Sequence, residues 1–154
     1  SMLVVVHDDG PLARDLCRAL NETEHKGAVS LVSAVESAGG AHAALKQVAC
    51  ALAPDRAHPS AMLLVFESKE SLSDQTLMCG FVALLAAALS REDGLLLRVV
   101  TPKRQGPLCD LARAFPERCT AHAAEELYQS YQLALEALVF GLPTAVRATV
   151  QTQR

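Results

Sequence analysis

Residues 3–20 read LVVVHDDGPLARDLCRAL, and the order of residue types in that stretch decides the fold. Residues 2–6 are a continuous apolar run, short and rich in valine, as in a strand buried on both faces. The run ends in His7-Asp8-Asp9-Gly10, and Pro11 stands where a helix can begin. Leu12, Leu16 and Leu20, with Ala13 and Cys17, then fall on one helical face. A buried strand followed at once by an amphipathic helix is half of a βαβ unit. The rest of the chain decides whether the unit repeats.

It does. Residues 28–35, AVSLVSAV, form a second strand candidate whose pattern also suits a helix. Gly39-Gly40 breaks the chain, and Leu45, Val48, Ala49 and Leu52 recur at helical spacing until Pro54. AMLLVF at 61–66 is the clearest strand. Ser71, Ser73 and Asp74 offer caps for a helix over about 74–90. Gly94 ends that helix, and LLLRVV at 95–100 is a fourth strand closed by Thr101-Pro102. A short helix over 107–115, a short strand over 118–121 and a last helix over 122–140 follow. Ala124, Leu127, Tyr128, Tyr131, Leu135 and Leu138 line one side of that last helix, before Gly141 and Pro143 stop it. Strands alternating with helices predict an α/β domain, a three-layer doubly wound parallel sheet of about five strands in the flavodoxin-like order 2-1-3-4-5. The domain is expected over 2–141, with 142–154 a C-terminal tail or linker.

Composition bounds the function. The 154 residues are 51% hydrophobic, a folded composition with length enough for one sizeable core. The net charge of −3 gives no electrostatic case for nucleic acid or for an anionic membrane. The longest apolar stretch, Leu77 to Leu89 with Gly80 inside it, falls short of the roughly 20 residues that span a bilayer. No basic leader with a cleavage site opens the chain, and Ser1-Met2 reads as a cloning remnant of an excised domain or short protein. The five cysteines show no C-x-x-C spacing and read as reduced thiols, mostly small core residues. They point to a cytoplasmic or nuclear protein. The histidines are scattered, without zinc-ligand spacing, and no cofactor is expected.

An open parallel sheet presents ligands at the carboxyl ends of its strands. That edge gathers His7-Asp8-Asp9 after strand 1, Glu67-Ser68-Lys69-Glu70 after strand 3 and Thr101-Pro102-Lys103-Arg104 after strand 4. Asp8, Asp9 and Glu67 could hold Mg²⁺ there, Lys103 or Arg104 could face a phosphate, and Thr101 completes the candidate corner. The competing reading is a set of solvated turns, with Asp9 placed to favour a helix N-terminus. Phosphate-cradling glycine motifs and the G-x-S-x-G elbow are absent from the sequence.

The helix over 74–90 carries a second signal. Leu77, Met78, Phe81, Val82, Leu85 and Leu89, with Leu84, leave almost no polar face in its middle. A helix apolar all round is buried on more than one side. Either another helix of the same chain packs over it or a second chain does; the second reading is preferred, and those six residues are the candidate interface for a protein partner or a second copy.

Two family resemblances rest on these residues. LVVVHDDGPLARDLCRAL resembles the start of bacterial response-regulator receiver domains, which implies Mg²⁺ binding by acids at Asp8 and Asp9 and a hydroxyl role for Thr101. The family's phosphoacceptor aspartate would end strand 3, where this chain has Phe66 and Glu67. Its lysine at the end of strand 5 has no counterpart, and Lys103 follows strand 4 instead. The resemblance therefore implies a pseudo-receiver. The same stretch is similar to the first box of TIR domains, and QTLMCGFVALL resembles their later cysteine-bearing segment. NAD-cleaving TIR domains carry a catalytic glutamate there; here Phe81, Val82 and Ala83 follow Cys79-Gly80, which implies an adaptor. The leading expectation is a non-catalytic signalling or scaffold module acting through protein–protein contact. The alternative is a Mg²⁺-dependent phosphate- or nucleotide-binding enzyme using the acidic corner.

Overall fold

The computed structural model describes residues 3–21, 29–35, 40–55, 59–91 and 94–129. Five strands, β1 (Leu3–His7), β2 (Val29–Ser33), β3 (Ala61–Val65), β4 (Leu96–Thr101) and β5 (Cys119–Ala123), form one sheet in the order β2-β1-β3-β4-β5. Every pairing is parallel, with Val5 beside both Leu31 and Leu63, and Leu63 beside Arg98. The helices are α1 (Pro11–Asn21), α2 (Gly40–Ala51), α3 (Gln75–Leu89), α4 (Pro107–Ala114) and α5 (Ala124–Gln129). A 3-10 turn at Lys69–Leu72 precedes α3. The flavodoxin-like order read from the sequence is the observed one.

Strand alternation sorts the core into two halves. Val4, Val6, Met62, Leu64, Leu97 and Val99 face the layer of α2, α3 and α4. Leu3, Val5, Leu63, Val65 and Val100 face α1 and α5. On the first face, Phe66 and Phe81 meet edge-on with ring centroids 6.1 Å apart. Gly80 lies where a side chain would press on Leu45, so its lack of a Cβ lets α2 approach α3.

Two arginines close the other end of that layer. Arg91 Nη1 donates to the Leu52 carbonyl at 2.9 Å, at the end of α2. Arg118 Nη1 donates to the Leu89 carbonyl at 2.9 Å and to the Arg91 carbonyl, at the end of α3. Both satisfy carbonyls that a helix terminus leaves unpaired.

Three details differ from the sequence reading. The fifth strand runs to Ala123 because residues 119–123 pair in register with Leu97–Thr101; α5 begins at Ala124, two residues later than expected. Within the second candidate, Val29–Ser33 is a strand, the ambiguity being resolved by pairing with β1. Of the five cysteines only Cys109 and Cys119 are buried; Cys17 is half-buried, while Cys50 and Cys79 are exposed on the outward sides of α2 and α3. Tyr131, Leu135, Leu138, Gly141, Pro143 and the boundary at 141–142 lie outside the described residues. Among the described residues no helix is long and apolar enough to cross a membrane.

Candidate functional site

The carboxyl edge of the sheet does gather the expected acids, but it turns them to opposite faces. Asp8 follows Val4 and Val6 toward the α3 side. Its carboxylate accepts from the Glu67 backbone N–H at 2.9 Å, the Ser68 N–H at 2.8 Å and the Ser71 hydroxyl at 2.8 Å. One carboxylate therefore pins the β3–α3 connection. Glu67 follows Leu63 and Val65 to the other side. It accepts from the Leu12 N–H at 2.9 Å, the Ala13 N–H at 3.1 Å and the Tyr128 hydroxyl at 2.5 Å. Those N–H groups are the unpaired donors of the first turn of α1, which begins without an acidic residue of its own. The carboxylate reaches them because Gly10 is bare: a Cβ there would collide with the Glu67 carboxylate.

Asp9 sits in the left-handed region, φ 61°, which aspartate tolerates better than most residues. Its N–H donates to His7 Nδ1 at 3.1 Å, and its carboxylate pairs with Arg14 at 3.5 Å on the surface. The three acids thus hold loops and a helix start. Among the described residues no group of three or more His, Cys, Asp or Glu is placed to share a metal ion. Strand alternation divides Asp8 from Glu67, and both carboxylates accept hydrogen bonds from within the chain.

Thr101 and Lys103 lie one connection further along the edge. Thr101 is buried on the α4 side; its Oγ1 donates to the Lys103 carbonyl at 2.5 Å and lies 3.2 Å from Cys109 Sγ. It does not meet the acids. With Lys103 it lines a cavity of about 360 Å³ between the β3–α3 and β4–α4 connections. Leu72, Met78, Pro102 and Leu108 supply apolar wall, and Lys69, Gln75 and Gln105 supply polar groups. The sequence reading named Lys69 only as part of a strand-end turn and passed over Gln75 and Gln105. The usable signal was Gly106-Pro107, a helix start that brings the 105–108 segment back toward α3. Arg104 turns away and pairs with Glu126 at 2.9 Å.

On the opposite face, Arg98 Nη1 and His122 Nε2 approach to 3.2 Å across β4 and β5. Burial holds the His122 pKa below its ordinary value, and the Arg98 and Arg104 charges push it the same way, against Glu126. Burial alone lowers Arg98.

The expected α3 interface is also redistributed. Leu77, Met78, Phe81, Leu85 and Leu89 are each at most 4% exposed, enclosed by the sheet and by α2 and α4 on either side. Val82 is partly buried against the same core. The apolar surplus on this helix is therefore consumed inside the chain, because α3 is the middle helix of its layer. What is exposed is Gln75 and Thr76 in the first turn and, beyond it, Cys79, Ala83 and Ala87.

No family model, curated protein or solved structure matches the chain.

Proposed function

We propose that this chain is a non-catalytic α/β module that works by contact between proteins, and that its surface for a second copy is the outer side of α3. The observation that carries the reading is that α3 has no charged residue in QTLMCGFVALLAAAL, although its outer side is exposed at Cys79, Ala83 and Ala87. A helix on the surface of a monomer ordinarily carries charge on its wet face. Small residues four apart also let another helix approach closely. An uncharged strip of small side chains is its own complement, which suits an isologous twofold contact in which α3 packs on α3.

The engagement of Asp8 and Glu67 by backbone donors supports the non-catalytic half of the reading over the Mg²⁺-dependent alternative. A pseudo-receiver or TIR-like adaptor would fit the same description, since both resemblances retain the fold without the reacting residue.

The test is sedimentation of the wild type and of Ala83→Glu and Ala87→Glu across a wide concentration range. The wild type is expected to dimerise reversibly, and each variant to stay monomeric with an unchanged melting temperature. A wild type that stays monomeric at millimolar concentration ends the homodimer reading. Phe81 and Leu85 are unsuitable positions for this test, because charging a core residue unfolds the domain.

A further inference from the structure

The cavity over β4 is independent of the α3 surface, and we propose that it binds a compact organic anion, with a phosphate or carboxylate head at the mouth and an apolar body inside. Three features combine to give that chemistry.

The first is position and size. The cavity opens between two connections at the carboxyl edge of a parallel sheet, where this architecture receives ligands. At about 360 Å³ it admits a small molecule and excludes a folded chain.

The second is the lining. Leu72, Met78, Pro102 and Leu108 make an apolar wall, while Gln75 and Gln105 bring amide groups. No aspartate or glutamate is among its lining residues. That is notable on a chain of net charge −3.

The third is the state of its cations. Lys69 comes from the 3-10 turn before α3 and Lys103 from the connection after β4, so separate segments bring two lysines to the lining of one cavity. Among the described residues neither has a carboxylate within ion-pair distance. Arginines elsewhere in the chain are matched: Arg14 with Asp9, Arg104 with Glu126 and Arg113 with Asp110. Two lysines lining one cavity without a counter-charge favour an anion there. The apolar wall selects an anion with a body over an inorganic ion.

Phenyl phosphate is the probe, with phenol as the same body without the head and inorganic phosphate as the head without the body. Binding is followed by the backbone amide signals of the full chain. Phenyl phosphate is expected to shift the signals of Lys69, Thr101 and Gln105 through Leu108, leaving those of α1 unmoved. Each fragment is expected to bind at least about tenfold more weakly, the factor that 1.4 kcal/mol represents. Lys69→Glu and Lys103→Glu should each weaken phenyl phosphate by about tenfold or more and keep the wild-type melting temperature, since both side chains are exposed. Phenol binding as tightly as phenyl phosphate would make this an apolar pocket and overturn the proposal. So would shifts centred away from the cavity, the absence of shifts at about 10 mM probe, or full affinity in both glutamate variants. A monomeric protein that still binds phenyl phosphate here would end the dimer reading and leave this one standing.

Discussion

Two neighbouring parts of the carboxyl edge use their charges in opposite ways. Over β1 and β3 the edge is acidic and closed: Asp8 and Glu67 each accept hydrogen bonds from three donors within the chain. Over β4 it is basic and open: Lys69 and Lys103 stand at a cavity without a carboxylate partner among the described residues. Both lie where a parallel sheet offers ligand sites, so position alone does not separate them. The hydrogen-bond inventory does. A charged group whose bonding capacity is filled by backbone N–H groups is part of the scaffold, while an unmatched one is free to meet a ligand.

This contrast can be broken by substitution. The largest effect is expected from Asp8→Ala, which strips the acceptor from two part-buried backbone N–H groups and the Ser71 hydroxyl. A loss of about 3 kcal/mol in urea-induced unfolding is expected, on the scale of bonds to a charged group. A change under about 0.5 kcal/mol would mean that the acid is free for a ligand after all. Gly10→Ala comes next. Its Cβ displaces the Glu67 carboxylate from the first turn of α1, and a loss of about 1–2 kcal/mol is expected, as for a removed helix cap. Faster amide exchange at Leu12 and Ala13 would locate the damage.

The smallest effect lies across β4 and β5, on the face opposite the cavity. His122 lies beside Arg98 and is held below the ordinary histidine value of 6.5, chiefly by burial. Below pH 6.5 the unfolded chain therefore binds more protons at this residue than the folded one does. Stability should rise with pH between the depressed folded pKa and 6.5, and fall as the pH drops through that window. His122→Gln should flatten that slope in melting temperature against pH. An unchanged slope would mean that His122 is not held below its ordinary value in solution.

Much of the fold was legible because it rests on local pattern. Val-rich continuous runs, Pro11 at the start of a helix and Asp74 as the cap of α3, accepting from the Leu77 N–H at 3.0 Å, are each visible within a few residues. The limits of β5 and α5 were not, because the partner that lengthens β5 is Leu97–Thr101, distant in sequence. The site was legible only as a set of names. Asp8, Asp9, Glu67, Thr101 and Lys103 could be assigned to one edge, but which face each one takes depends on strand phase and on the donors waiting there. That most of the apolar residues of α3 turn into the core was hidden for a related reason: hydrophobicity around a helix reports how many sides are covered, without reporting by what.

The sequence by itself determined that strands buried on both faces alternate with helices, and chain handedness then left few ways to wind them. It also determined that no local motif commits the chain to phosphate-loop or hydrolase-elbow chemistry. Only the tertiary structure decided that Asp8 and Glu67 hold loops and a helix start, that six apolar residues of α3 belong to the core, and that Lys69 and Lys103 line one cavity. Hydrophobic periodicity acts over single turns and strands, whereas the use of a charge depends on what the fold brings within about 3 Å of it.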